Sequence, residues 1–179
     1  MKKHITIFLI LIMTLIMAGC SDTVETNNTT SSDLTSFTTI DLNGETVTED
    51  IFADYDITMV NVWATWCGPC VNEFPALGEL KRQLPENYNL ITICTDGNRD
   101  SSNALNILSS NNADFTVLIP SEELENGFLS TVDAIPTTIF VDSNGNLVGS
   151  RQLGAPGFDE ASIIDGYMEL IENAYSELK

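Results

Sequence analysis

Two cysteines four positions from end to end, Cys67-Gly68-Pro69-Cys70, are the residues of this chain best placed to do chemistry. They follow a strongly apolar run, Ile57 to Ala64, and precede a stretch with helical spacing, so a strand should end and a helix begin at Cys67. A cysteine at a helix N-terminus sits among free backbone N–H groups and the positive end of the helix dipole, which favour the thiolate. Cys70 lies one turn inward, near enough to close a disulfide around two residues. Such a small ring constrains the unfolded chain little, so reversible opening explains it better than stabilisation. Pro69 suits an early helical position because it has no N–H to leave unpaired. A zinc half-site would need two more ligands; the only histidine is His4, and Cys94 alone leaves the set short. Covalent haem attachment would need histidine after the second cysteine, where Val71 stands. A purely structural bond stays open, although the strand-to-helix placement disfavours it.

The elements around this pair read as an α/β domain. Phe37 to Leu42 alternates, Asn43-Gly44 signals a hairpin turn, and Glu45 to Val47 returns. Ile57 to Ala64 and Leu90 to Cys94 read as strands covered on both faces, joined by a helix from about Cys67 to Gln83. A short helix over Ser102 to Ser109, a strand over Phe115 to Ile119 and a short helix over Glu122 to Leu129 follow. Thr137 to Val141 and Leu147 to Gly149 form a closing hairpin through Asn144-Gly145, and a last helix spans about Asp159 to Leu178. This order predicts a central mixed sheet flanked by helices. Cys94 reads as an inert buried thiol, Trp63 as core, and Thr137 and Thr138 as strand residues without a chemical role.

The rest of the 179 residues sets the context. Lys+Arg number 7 against 26 Asp+Glu, a net charge of −19, which cannot supply the basic footprint that nucleic acid requires. Lys2 and Lys3 precede fourteen residues, Ile5 to Ala18, that are apolar except for Thr6 and Thr14, the layout of a secretory signal. Met17-Ala18-Gly19-Cys20 resembles a bacterial lipobox, which would make residues 1–19 a signal peptide and Cys20 the lipidated first residue. An uncleaved anchor and an ordinary signal are the alternatives. Each implies an extracytoplasmic mature chain, with a charge of −21 once Lys2 and Lys3 are removed. Eleven of the sixteen residues from Ser21 to Ser36 are Ser, Thr or Asn, so residues 20–36 read as a lipidated tether and 37–179 as the domain.

Trp66-Cys67-Gly68-Pro69-Cys70 resembles the thioredoxin active site, and the resemblance runs from about Phe37 to the C-terminus. Pro75 matches the kink proline of thioredoxins, and Ile135-Pro136-Thr137 resembles their cis-proline segment. Two departures narrow the branch: Asn61 stands where thioredoxin has its buried aspartate, and Glu73 appears in Cys70-Val71-Asn72-Glu73-Phe74-Pro75. In addition, about forty residues, with an extra helix and strand, separate Cys94 from Pro136. With the N-terminal hairpin and the lipobox, these resemble the TlpA/ResA-like membrane-tethered thiol–disulfide oxidoreductases. That resemblance implies an enzyme working through the Cys67–Cys70 disulfide with no other cofactor and no metal. It implies substrate contacts at Trp66, Gly68, Pro69, Ile135 and Pro136, and proton handling by Glu73. Helical geometry places Glu73 about 60° from Cys70, either half-buried with a raised pKa or solvated on the helix face.

The implied reaction is reduction of disulfides in client proteins, among which apocytochrome c and methionine sulfoxide reductase are candidates. Electrons would come from a membrane thiol relay, and the protein would act as a monomer held to the membrane by its lipid. Two rivals are weighed against it. A thiol peroxidase would need Pro and Thr where Val60 and Ala64 stand, and a non-enzymatic binding lipoprotein would not need both cysteines.

Overall fold

The computed structural model describes residues 33–179. The expected signal, Cys20 and most of the expected tether lie outside the described residues. Strands run over Thr38–Asp41 (β1), Thr46–Thr48 (β2) and Ile57–Trp63 (β3). Helices Gly68–Asn72 (α1) and Phe74–Gln83 (α2) lead to strand Tyr88–Cys94 (β4), helix Gly97–Ser110 (α3) and strand Thr116–Ile119 (β5). Helix Glu122–Asn126 (α4), strands Thr137–Asp142 (β6) and Leu147–Leu153 (β7), and helix Glu160–Ser176 (α5) complete the order.

The seven strands of the described residues join one sheet, ordered β2-β1-β5-β4-β3-β6-β7. The central strands β3, β4 and β5 are parallel, and the flanking pairs are antiparallel. The expected α/β class with a mixed sheet and an added helix–strand unit before Pro136 is what the chain adopts. Alternation along the strands then sorts side chains to two cores. Ile57, Met59 and Trp63 of β3 and Phe140 of β6 face a core completed by Phe74 and Leu77 of α2 and Tyr167 and Ile171 of α5. Val60, Val62, Ile139 and Val141 face the other, with Phe37, Phe52, Leu124 and Phe128. The same alternation points Asn61 and Thr138 to the Trp63 side, where they are register partners across β3 and β6.

Several boundaries differ from the pattern expected. The helix over Cys67 to Gln83 is two helices meeting at Glu73, because Pro75 has no N–H to bond the carbonyl one turn back. The helix expected over Ser102 to Ser109 starts at Gly97, with non-helical dihedrals at Asp100. The one expected to reach Leu129 stops at Asn126, and a 3-10 turn, Phe128–Thr131, follows. The tether, expected to run to Ser36, gives way earlier. Leu34 is buried among Phe37, Phe52 and their neighbours, and its N–H donates to the Gly145 carbonyl at 2.9 Å. Gly145 has φ +79°, and a Cβ there would collide with the Leu34 carbonyl.

Leu34→Ala is therefore expected to lower unfolding stability by about 3 kcal/mol in urea titration, as for a core leucine. A tether residue would change it by less than about 0.5 kcal/mol.

Candidate active site

The end of β3 carries the chain into the site, and Asp96 holds that corner in shape. Its carboxylate accepts the Thr65 N–H at 2.9 Å and the Thr65 hydroxyl at 2.6 Å. The Thr95 N–H donates to the Trp63 carbonyl at 2.8 Å, tying the ends of β3 and β4 together. Two residues past Thr65, Cys67 caps α1, and Cys67 and Cys70 are joined by a disulfide with Cα atoms 5.3 Å apart. The Cys70 N–H donates to the Cys67 sulfur at 3.3 Å, so the first turn of the helix presents a backbone donor to that atom. Cys67 is 4% exposed and Cys70 fully buried.

On one side of the disulfide lies the segment before β6. Ile135–Pro136 is a cis peptide, and the Ile135 carbonyl oxygen stands 3.9 Å from the Cys67 sulfur. Trp66, 73% exposed, and Ile135 line a groove of about 480 Å³ with Leu129, Val132, Asp133 and Ala134. A side chain at Gly68 would meet nothing within 4 Å, which leaves the approach to the disulfide open. Pro136 is buried, and its carbonyl accepts the Gly154 N–H at 2.8 Å. Pro69 turns the other way and lines a second cleft of about 300 Å³ with Glu73, Pro75, Phe158 and Ile163.

Glu73 is neither on the helix surface nor half-buried: it is 1% exposed. The break between α1 and α2 falls on it, and its carboxylate reaches side chains of β3 and α5. Asn61 Nδ2 donates to Oε1 at 2.9 Å, and the Tyr167 hydroxyl of α5 donates to Oε2 at 2.9 Å. Asn61 Nδ2 also donates to Thr138 Oγ1 at 3.0 Å, and the Thr138 hydroxyl donates to the Tyr167 oxygen at 3.3 Å. Burial raises the Glu73 pKa, the Asn61 and Tyr167 donors oppose it, and the carboxyl comes to rest at about 7. Burial, and then the adjoining Glu73 charge, push the Tyr167 phenol far above its ordinary value, so it remains a donor.

Other expectations meet the structure residue by residue. Cys94 is buried, and burial followed by the nearby Asp96 pushes its thiol up to about 12, which keeps it protonated at neutral pH. Trp63 is core, packed edge-on against Phe74 at 4.7 Å, with its indole N–H donating to Thr92. Thr138, expected to do nothing but fill a strand, belongs to the hydrogen-bonded group around Glu73. Tyr167 read only as an apolar position of the last helix. A phenol among aliphatics on a buried helical stripe was the one signal that it needed a polar partner.

A cysteine disulfide at the start of a helix, facing a cis-proline segment across the edge of a mixed sheet, defines a thioredoxin-like domain. The chain belongs to the Redoxin family, whose model matches residues 28–166. Among curated relatives, the "Thiol:disulfide interchange protein DsbE homolog" of Paracoccus denitrificans is 28% identical over 102 residues, covering 57% of this chain and 54% of that protein. The "Thiol-disulfide oxidoreductase ResA" of Oceanobacillus iheyensis is 27% identical over 114 residues, covering 62% and 54%. The chain thus spans about half the length of these relatives. In fold it is similar to a thiol:disulfide interchange protein of Chlorobium tepidum, with TM-score 0.62, 21% identity, and coverage of 78% of this chain and 93% of that one. The resemblance read from the sequence agrees with these findings.

The raised Glu73 pKa has a consequence for stability. Between about 4.5 and about 7 the folded protein holds a proton that the unfolded chain has released. Stability therefore falls as pH rises through that window and stays lower above it. In thermal or urea unfolding of the oxidised protein, the wild type is expected to lose about 3 kcal/mol more than Glu73→Gln between pH 4 and pH 8.

Proposed function

We propose that the protein is an extracytoplasmic thiol–disulfide oxidoreductase that reduces disulfides in client proteins. The observation that carries this reading is the Cys67–Cys70 disulfide, with an open groove on the Cys67 side and a buried carboxyl one helical turn beyond Cys70. In the reduced protein, the Cys67 thiolate attacks one sulfur of a client disulfide, and the other client sulfur leaves as a thiolate. Cys70 then gives its proton to the Glu73 carboxylate and attacks the Cys67 sulfur. The mixed disulfide breaks and the Cys67–Cys70 bond forms, and the client, its two thiolates protonated by one proton from Glu73 and one from solvent, departs as a dithiol. Both electrons come from the dithiol, and each turnover needs one external dithiol to restore it.

Several features support the details. A client strand laid along Ala134 and Ile135 would bring its disulfide to the Cys67 sulfur, with Trp66 covering its apolar side chains. The Gly-Pro pair between the cysteines is that of thioredoxin, whose couple is strongly reducing at about −270 mV, which favours reduction over oxidation. The signal-like N-terminus and Met17-Ala18-Gly19-Cys20 favour a lipid anchor at Cys20, outside the cytoplasm. There a membrane thiol relay would have to resupply electrons. Apocytochrome c and methionine sulfoxide reductase suit such a reductase as clients. The acidic surface favours neutral or basic docking faces, with encounter rates that fall as salt rises.

Insulin reduction driven by dithiothreitol tests the activity. Cys67→Ser is expected to abolish turnover, and Cys70→Ser to leave the protein trapped as a mixed disulfide visible by mass spectrometry. Turnover by Cys67→Ser at the wild-type rate would overturn the reading.

A further inference from the structure

The group around Glu73 is a closed ring of four links: Asn61 to Glu73, Tyr167 to Glu73, Asn61 to Thr138, and Thr138 to Tyr167. Its members bring four hydrogens to these links: two from the Asn61 amide and one from each hydroxyl. With Glu73 ionised, every link holds one hydrogen and the carboxylate accepts at both oxygens. A neutral Glu73 brings a fifth hydrogen, so one donor must turn out of the ring into a buried, largely apolar setting. Rotating the Asn61 amide does not mend this, since it leaves three hydrogens for four links. Asn61 Oδ1, buried without a hydrogen-bond partner among the described residues, shows what is given up to aim both amide hydrogens into the ring.

We propose that Tyr167 is a positioning residue that, with Thr138 and Asn61, holds Glu73 as the carboxylate that accepts the Cys70 proton. The inference rests on the proton-accepting role given to Glu73 above. It goes further by assigning the readiness of that base to a tyrosine 94 residues away in the chain. Burial alone would keep Glu73 protonated at neutral pH and useless as a base. The ring opposes burial, and the opposition is what leaves a carboxyl that can both take and release a proton near pH 7. The strand groups facing Glu73, Asn61 and Thr138, are neutral. From α5, Tyr167 faces it directly, and Asp159 and Glu160 line the cleft it shares; on its own segment the titratable neighbours are the two thiols once reduced. The carboxylates of Asp159 and Glu160 favour the neutral acid, so they do not supply the opposing influence.

The experiment follows Cys70 and Glu73 separately. Reduced protein is mixed with Ellman's reagent; the first release of thionitrobenzoate reports Cys67 attack, and the second reports resolution by Cys70. Both are recorded from pH 5 to 9, and the Glu73 carboxyl is titrated by carbon-13 NMR in the same proteins. For Tyr167→Phe, the Glu73 midpoint and the midpoint of the second release are expected to rise together by about one unit or more. At pH 6.5 that is roughly a tenfold slower resolution, while the pH profile of the first release keeps its midpoint. Thr138→Val, which carries the test if the tyrosine variant does not fold, should shift both in the same direction, and Thr138→Ser should restore them. In a Glu73→Gln background, Tyr167→Phe should shift neither release. Midpoints in Tyr167→Phe and Thr138→Val that match the wild type, while Glu73→Gln removes the pH dependence of the second release, would overturn the inference and leave the base reading standing. A second release that Glu73→Gln leaves unmoved would instead overturn the base reading itself, and the inference with it.

Discussion

A carboxyl group buried beneath a redox disulfide is the constraint on which most of this site depends. An ionised Glu73 in that position would be intolerable without donors to both oxygens. Asn61 and Tyr167 are those donors and Thr138 links the two, so the group draws on three separate elements. Asn61 is presented by the central strand, Thr138 by its antiparallel partner, and Tyr167 by the last helix. The kink at Glu73 that turns the carboxyl inward belongs to the same arrangement, since Pro75 stops α1 from running straight into α2. Register between β3 and β6, the packing of α5 on that face, and the break in the active-site helix are thus parts of one solution.

The disulfide divides the molecule into two chemically different sides. Cys67 lies 3.9 Å from the carbonyl of Ile135, which lines a groove with Trp66, Leu129 and Val132. Cys70 is sealed from solvent, one turn before the buried acid. The proposed exchange reaction needs this asymmetry. The attacking sulfur must meet a client, whereas the resolving sulfur must lose its proton only after the client is attached. Cys94, the last residue of β4 and the register partner of Trp63, is a third thiol that burial and Asp96 hold neutral.

Local patterns carried a large share of the architecture. The turn dipeptides Asn43-Gly44 and Asn144-Gly145, the apolar runs from Ile57 and Leu90, and the helical stripe of Ile163, Tyr167 and Ile171 each form the element their spacing implies. Boundaries failed where tertiary contact outweighed composition. Leu34 sits in a segment rich in Ser, Thr and Asn, yet burial in one cluster with Phe37 and Phe52 makes it core. The helix expected from Ser102 starts at Gly97, with Asp100 out of helical geometry, and the one expected to reach Leu129 ends at Asn126 before a 3-10 turn.

The sequence by itself determined the cysteine pair, the strand-to-helix junction that carries it and the class of sheet around it. Those follow from spacing along the chain, which local geometry converts directly into position. It also singled out Glu73 and Asn61 as departures from the thioredoxin pattern, without deciding whether the acid was wet or dry. Only the tertiary structure decided that, because burial is a property of what packs over a residue and not of its neighbours in sequence. Thr138 looked like strand filling and Tyr167 like helix core. Their hydroxyls gained meaning only when the antiparallel register and the docking of the last helix brought both within 3.3 Å of a common ring.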